Sequence, residues 1–515
     1  MEGRRIFANV LWNWAGRLGS ILVALIFARL ILDQLGREAY GIWEILMVLG
    51  SYYALADLGL NTACVKHLAE LWGENRQEKF GRYLTTCVML NTMVAMVIVA
   101  AGVTCALLLT TIFEIPPELV ETSRLAALIY TGVIAIRLVV QPYHASLAAM
   151  GRFDRLNQLS VSTQAATSAV LLGVLLAGYS LAGMAFATLV MTIVASLVAV
   201  WIVRSQAGPE MTRFHCFDRD VVKQQFSFGG WVVVRRAASR CVNRGGVLLL
   251  GAMAGPASVP FFSLANSLCG RFSDFLSSIY LVVMPKASQL NAEGDVERLR
   301  KLIVRGSRSV LTLAATGSGA LVLLSPGFLN LWLGPEYVHP TSTVVVLLAI
   351  VLIVTSANSI MKPVMTGQGR VKSLALLEIA AAICFLSLAI PSIWWSGPVG
   401  VAVALLITRF LTELLVVQFW IRRACDLSLV SYIRECLLSG IVAASIPVSA
   451  TVILSFVVDI EQPAGFILGV FVYALAALPA IFAIGLDRQT RALAIEAVTS
   501  KLTTARAIPP ASKNL

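Results

Sequence analysis

Apolar runs long enough to cross a bilayer follow one another along almost the whole chain, separated by short polar or Gly/Pro-containing breaks. A helix needs about 20 apolar residues to span a hydrocarbon core, and only helices or closed barrels satisfy their backbone there. The pattern predicts fourteen spans, at 7–32, 39–62, 83–112, 124–149, 157–178, 180–203, 225–252, 258–284, 309–333, 341–366, 374–395, 398–421, 436–458 and 464–486. The chain therefore reads as an all-α polytopic membrane protein. Composition agrees: 58% of its 515 residues are hydrophobic and 13% charged, where a soluble protein carries roughly 25% charged residues. Arg4 and Arg5 precede the first run, which lacks a small-residue cleavage site and reads as a retained span.

The basic residues fix an orientation. With fourteen spans, the even-numbered connections share one side with both termini, and that side holds 28 of the 40 Lys and Arg. The opposite side holds only Arg37 and Arg124, together with Asp33, Glu38, Glu114, Glu118, Glu121, Glu336, Asp459 and Glu461. The positive-inside rule then places both termini in the cytoplasm. The net charge of +12 is thus a topological signal, and no nucleic-acid partner is expected. The connections 63–82, 204–224 and 285–308 read as short amphipathic segments at the headgroups.

The chain also repeats itself. A shift of 218 residues aligns PPELV (116–120) with GPEYV (334–338), MGRFDRLNQL (150–159) with QGRVKSLALL (368–377), and Arg17 with Arg235. Six spans per copy keep both copies in one orientation, so two six-helix lobes in a parallel pseudo-two-fold repeat are expected. The division is 1–224 for the first lobe, 225–432 for the second, 433–486 for two further helices and 487–515 for a cytoplasmic tail.

The most informative span is the seventh, WVVVRRAASRCVNRGGVLLLG (231–251). A mid-span arginine costs about 2.5–3.5 kcal/mol on insertion scales, so four cost on the order of 10 kcal/mol. Such residues need partners or water inside the protein. Arg236, Arg240, Asn243 and Arg244 fall on one arc of the helix, with Arg235 beside it. The corresponding first span carries Asn9, Asn13, Gly16, Arg17 and Ser20 on a similar arc. Arg137, Arg271, Lys362 and Arg409 are the other cations within spans, with Arg29 near a membrane face, where it can snorkel. The acids are Glu44, Asp57, Asp274, Glu378 and Glu413, leaving an intramembrane excess of five positive charges. A cationic cavity implies an anionic cargo, because the guanidinium fork matches phosphate oxygens in pairs.

Local pairing is the competing reading for several of these groups. Arg409 and Glu413 are one turn apart, and Arg271 and Asp274 are three residues apart. The substrate-binding candidates are Arg240, Arg244, Arg236, Arg17, Arg137, Asn13, Asn243 and Lys362; those for ion coupling are Asp57, Asp274 and Glu413. Trp14 and Trp231 suit either sugar stacking or core packing. The nine cysteines form no CxxC or Cys/His pattern, so no metal site is expected. No Walker A, HExxH or nucleophile-elbow pattern occurs, and no cofactor or catalytic chemistry is expected.

Two stretches carry a family resemblance: NVLWNWAGRLGSILVALIFARLI (9–31) and GREAYGIWEILMVLGSYYALADLGLNTACVKHLAE (36–70), with its YG…L…DLGL pattern. Together with the helix count, the duplication and the cationic spans, they resemble the polysaccharide flippases of the multidrug/oligosaccharidyl-lipid/polysaccharide exporter superfamily. The resemblance implies two lobes alternating between inward and outward openings in a bacterial inner membrane. It implies an undecaprenyl-pyrophosphate-linked oligosaccharide as cargo, the bilayer around it, and a polysaccharide polymerase and export machinery as downstream partners. Two other readings stay open. A drug exporter of the same superfamily would need net acid in its cavity. A membrane polymerase or ligase would need a sizeable exterior loop.

Overall fold

The computed structural model describes residues 2–53, 60–208, 217–218, 221–222, 230–280, 289–290, 293–368, 370–416, 432–485 and 491, with backbone alone for 2–22, 53, 60, 62, 278–280, 367 and 433. The described residues form helices α1 (Glu2–Tyr53), α2 (Leu60–Gly73), α3 (Gln77–Ile112), α4 (Val120–Ala149), α5 (Phe153–Leu176), α6 (Leu181–Ala207), α7 (Gly230–Ala254) and α8 (Val259–Tyr280). They continue with α9 (Val296–Leu333), α10 (Val338–Ala357), α11 (Met361–Gly367), α12 (Val371–Ser396), α13 (Pro398–Val416), α14 (Leu438–Ser455) and α15 (Pro463–Ala480). Within the described residues the expected spans lie on these helices, the first two sharing α1 and the tenth divided between α10 and α11, and the protein is an all-α, multi-pass membrane protein. Among the described residues, ten helices are long and apolar enough to cross a membrane. The arginine-bearing α7 is not among them, because its charges break the apolar window.

The first two spans run together as α1. They are separated where Gly36 takes φ 83° and ψ 176°, a backbone region open to glycine and closed to side chains with a Cβ. Gly255, with φ 76°, makes the matching break between α7 and the turn Pro256–Ser258. The repeat is written into the element boundaries as well. The 3₁₀ turns Pro117–Leu119 and Pro335–Tyr337 lie 218 residues apart, as do the starts of α4 and α10 and of α5 and α12.

Exposed Met93, Met96, Val97, Val103 and Leu107 recur at helical spacing on α3, which is how a lipid-facing surface reads. Its other face buries Ala95 and Ile98 against Tyr130, Val133, Ile134 and Leu138 of α4. The connector predicted at 63–82 contains α2, whose Cys64 and Leu68 pack on Phe80, Tyr83 and Leu84.

Pro142 lies inside α4 and has no N–H to give the carbonyl of Leu138. The Asn91 side chain donates to that carbonyl at 2.8 Å, buried. Asn91→Leu is therefore expected to destabilise the protein by about 1–3 kcal/mol, the cost of a buried unsatisfied polar group. Thermal unfolding checks this. Adding Pro142→Ala, which restores the helical donor, should recover most of the loss, whereas additive losses would show that the repair is not what Asn91 does.

By internal packing the chain divides into two compact units. The first comprises Met1–Leu264 and Val371–Ala404; the second comprises Ala265–Arg370 and Leu405–Leu515. These cuts differ from the sequence repeat: α7 and α12 group with the N-terminal helices. The reason is local in the first unit, where a Cβ on Gly246 would lie 2.4 Å from Val401 and one on Gly245 would meet Tyr52 and Phe385. In the second unit, Leu276, Ala314 and Leu352 form a core with Phe272, Phe275, Leu313 and Leu321 around it. There α15 is tied to α9 by the Tyr473 hydroxyl, which donates to the Thr316 carbonyl at 2.5 Å.

Candidate functional site

The arginine helix α7 packs within the first unit against the second half of α1. The two run antiparallel, because contacts descend one helix as they climb the other. A Cβ on Gly251 would meet Ile45 at 2.6 Å, Glu44 lies within electrostatic reach of Arg244, and the Tyr52 hydroxyl donates to the Arg240 carbonyl at 3.2 Å. Close approach at Gly251 uses the rule of small residues between membrane helices. The result is a ladder in which the Glu44 carboxylate and the Tyr52 phenol of α1 meet the α7 stripe.

Arg236, Asn243 and Arg244 are exposed on α7, while Arg240 is half-buried. Both flanking arginines repel Arg240. The Arg240 Nη1 is buried and has no hydrogen-bond partner among the described residues. Asn243 donates to Ser239 Oγ at 3.3 Å. The half-buried Glu44 accepts from Tyr40, itself buried and within reach of Ser263. Arg137 of α4 is exposed, and it and Glu44 both lie within electrostatic reach of Tyr130. Tyr130 in turn donates to Met47 Sδ at 3.2 Å. Among the described residues, three candidate cations of α7 lie along one stripe with Glu44 within reach of Arg244, and the buried Glu378 stands on α12, which packs against the same helix.

The remaining candidates divide among three situations. The side chains of Asn13 and Arg17, with Trp14, and all of Asp57 lie outside the described residues. In the second unit, Lys362 Nζ lies 2.5 Å from Glu413 Oε1, so these two candidates form an ion pair with each other. Glu413 was expected to pair with Arg409 on its own helix; its carboxylate is held by Lys362 and by Asn358 Nδ2 at 3.0 Å, two partners from another helix and its preceding turn. Arg271 and Asp274 both stand exposed on α8 without the ion pair their spacing suggested. Arg29 pairs with Asp33 at 3.4 Å, both exposed. Trp231 is covered on one side by Lys372, whose Nζ lies 5.4 Å from the ring centroid.

Sequence reasoning singled out the α7 arginines but missed the α1 partners Tyr40, Glu44 and Tyr52, and it missed Asn358. A signal for the first was present, since Tyr40 and Glu44 are one turn apart and share a helix face.

Residues 6–291, more than half of the chain, match the family described as polysaccharide biosynthesis protein. The chain belongs to that family. The chain is 22% identical over 430 residues to a Shigella flexneri protein named "Putative O-antigen transporter", covering 82% of this chain and 99% of the relative. An Escherichia coli K12 protein of the same name is 24% identical over 199 residues, 38% of this chain; the match spans about half of that relative, 48%. Among solved structures, the lipid II flippase MurJ in an inward closed conformation matches with a TM-score of 0.70 at 13% identity, covering 92% of this chain and 98% of its own. An inward-facing multidrug resistance transporter of the MATE family matches with a TM-score of 0.63 at 14% identity, covering 82% and 97%. The chain thus shares the fold of these transporters, one of which is described as a member of the MOP superfamily.

Proposed function

We propose that this protein is a flippase for an undecaprenyl-pyrophosphate-linked oligosaccharide, moving it by alternating access from the cytoplasmic to the outer leaflet of a bacterial inner membrane. Both termini are cytoplasmic, and a polysaccharide polymerase and export machinery take up the product. The observation that carries this reading is the α7 cluster: Arg236, Arg240 and Arg244 on one arc, Arg240 repelled by both neighbours and Glu44 within reach of Arg244. Guanidinium groups in that density need an anion of several oxygens, and a pyrophosphate supplies one. In this scheme Arg137 adds a further cation and Asn243 an amide for the sugar, and Arg17 and Asn13 are the further candidates from the sequence. Lys362 is committed to Glu413 and has no cargo role in this scheme. The names of the relatives support the same direction.

The charge balance weighs against a drug exporter for organic cations, which would be repelled here. The discriminating experiment is binding to the purified full chain in detergent. A polyprenyl pyrophosphate should bind more tightly than the monophosphate, and both should weaken as salt rises, since charge attraction is screened. Tight binding of organic cations with no preference for pyrophosphate would overturn the proposal.

A further inference from the structure

Helix α5 lies in the first unit and is among those apolar enough to cross a membrane. Its buried residues are Leu159 and Leu175, and Leu159 seats it on Val140 of α4 and Ala199 of α6. Six uncharged polar residues nevertheless run along it: Asn157, Ser160, Thr163, Gln164, Thr167 and Ser168. At helical spacing they fall within an arc of about 140°. None of the six is buried, and Asn157, Ser160 and Gln164 are exposed. Gln164 stands at the middle of Phe153–Leu176, the mid-membrane level of a spanning helix. Leu159 lies outside the arc, as do the exposed Ala165, Ala166 and Ala169, which give α5 a separate apolar surface for lipid.

Hydroxyls on other helices of this protein turn back onto their own backbone. Thr131 donates to the Ala127 carbonyl at 2.8 Å and Thr188 to the Met184 carbonyl at 2.9 Å. On α5 itself Ser162, off the arc, donates to the Leu159 carbonyl at 3.2 Å. Such back-bonding satisfies a hydroxyl within its own helix. The arc differs: among the described residues, none of its six side chains makes a hydrogen bond. Polar groups of this kind in a spanning helix face protein or a wet cavity, not lipid. The arc carries no charge, so unlike α7 it attracts neither phosphate nor a cation. Each of its amides and hydroxyls can both donate and accept, which is also the character of a sugar hydroxyl. The helix contacts α1, whose sequence carries Asn9, Asn13 and Ser20.

We infer that the α5 arc is a carbohydrate-recognition surface, which holds the uncharged glycan of the cargo while the α7 arginines hold its pyrophosphate. The division follows the chemistry of the two helices: guanidinium groups for the anion, amides and hydroxyls for neutral hydroxyls. From Asn157 to Ser168 the arc extends about 16 Å along the helix, so it offers contacts to more than one sugar. This inference rests on the cargo reading proposed above and adds to it the residues that select the glycan.

The test is binding to the purified full chain in detergent of two probes, a bare polyprenyl pyrophosphate and the same lipid carrying a neutral oligosaccharide of hexoses and N-acetylhexosamines. The wild type should bind the glycan-bearing probe more tightly. Gln164→Leu/Ser168→Val should lose about tenfold on that probe, the effect of two neutral hydrogen bonds, and nothing on the bare lipid. Ser160→Val/Thr167→Val, on the same arc, should behave alike. Gln158→Leu/Ser162→Val, off the arc, should change neither affinity. The inference is overturned, with the cargo reading intact, if the wild type binds both probes equally, if the arc variants keep the glycan preference or weaken both probes alike, or if neither arc variant folds. It is also overturned if the arc variants turn a dimer into a monomer in size-exclusion chromatography, which would assign the arc to a second copy of this chain. Failure of the wild type to bind either probe would overturn the cargo reading and the inference with it.

Discussion

Arg240→Ala/Arg244→Ala is expected to abolish cargo binding while leaving the folded protein in the membrane. Each charge-assisted hydrogen bond from a guanidinium contributes about 1.5–3 kcal/mol. Two arginines together supply roughly 3–6 kcal/mol, about a 10²–10⁴-fold loss in affinity. Arg240 matters most because its Nη1 is buried without a partner among the described residues, a donor held ready for an external acceptor. Arg244 shares its charge with Glu44, so its single loss should be smaller. The double variant removes the repulsion between Arg240 and Arg244 and also the attraction between Arg244 and Glu44, effects of opposite sign, so its thermal unfolding should stay near that of the wild type. Glu44→Gln should act in the opposite direction on binding, because it frees Arg244 and raises the local positive charge. Titration with a polyprenyl pyrophosphate measures all three. Unchanged affinity in the double variant would make the arginines structural and move the search to Arg17 and Arg137.

The second large effect is structural. Gly41→Val should deplete the folded protein, because a Cβ on Gly41 would lie 1.9 Å from the Pro256 oxygen and 2.7 Å from its carbonyl carbon. Both are backbone atoms of the turn that follows α7, and a backbone cannot rotate aside as a side chain can. Overpacking typically costs about 1–3 kcal/mol and more where nothing yields. Gly41 lies one residue from Tyr40 and three from Glu44, so the same displacement would lift the carboxylate away from Arg244. The expected readout is loss of the monodisperse peak in size-exclusion chromatography of detergent extracts. Gly173→Ala is the control, since nothing lies within 4 Å of its Cβ position. A wild-type yield and unfolding temperature for Gly41→Val would contradict the close seating of α1 on Pro256.

The spans were legible because membrane-crossing length and apolar content are properties of contiguous sequence. The repeat was legible for a related reason: Pro117–Leu119 and Pro335–Tyr337 are short turns in which proline and glycine punctuate the chain at a fixed interval. The α7 stripe could be read because four arginines on one helix arc have no apolar explanation. Partner identity was not legible. Helical spacing offers Glu413 an arginine one turn away, but a nearly buried carboxylate needs several donors. Asn358 and Lys362 supply them from 55 and 51 residues away. Spacing likewise brings Arg271 and Asp274 into range, yet exposed groups gain little from pairing, and these two stay apart. Glu44 could be seen as an acid in an apolar run, but the face of α1 that meets α7 is set by Gly41 and Gly251, whose close contacts are tertiary.

The central claim is that a positive cluster on α7 handles the pyrophosphate of a lipid-linked oligosaccharide during its passage across the bilayer. The most direct test is translocation in proteoliposomes holding the full chain and a labelled polyprenyl-pyrophosphate oligosaccharide, with leaflet position read by accessibility to a membrane-impermeant reagent. A matched oligosaccharide on an uncharged lipid serves as the comparison. The prediction is rapid movement of the pyrophosphate-linked cargo and little movement of the uncharged one. Equal movement of both, or none of either, would contradict it.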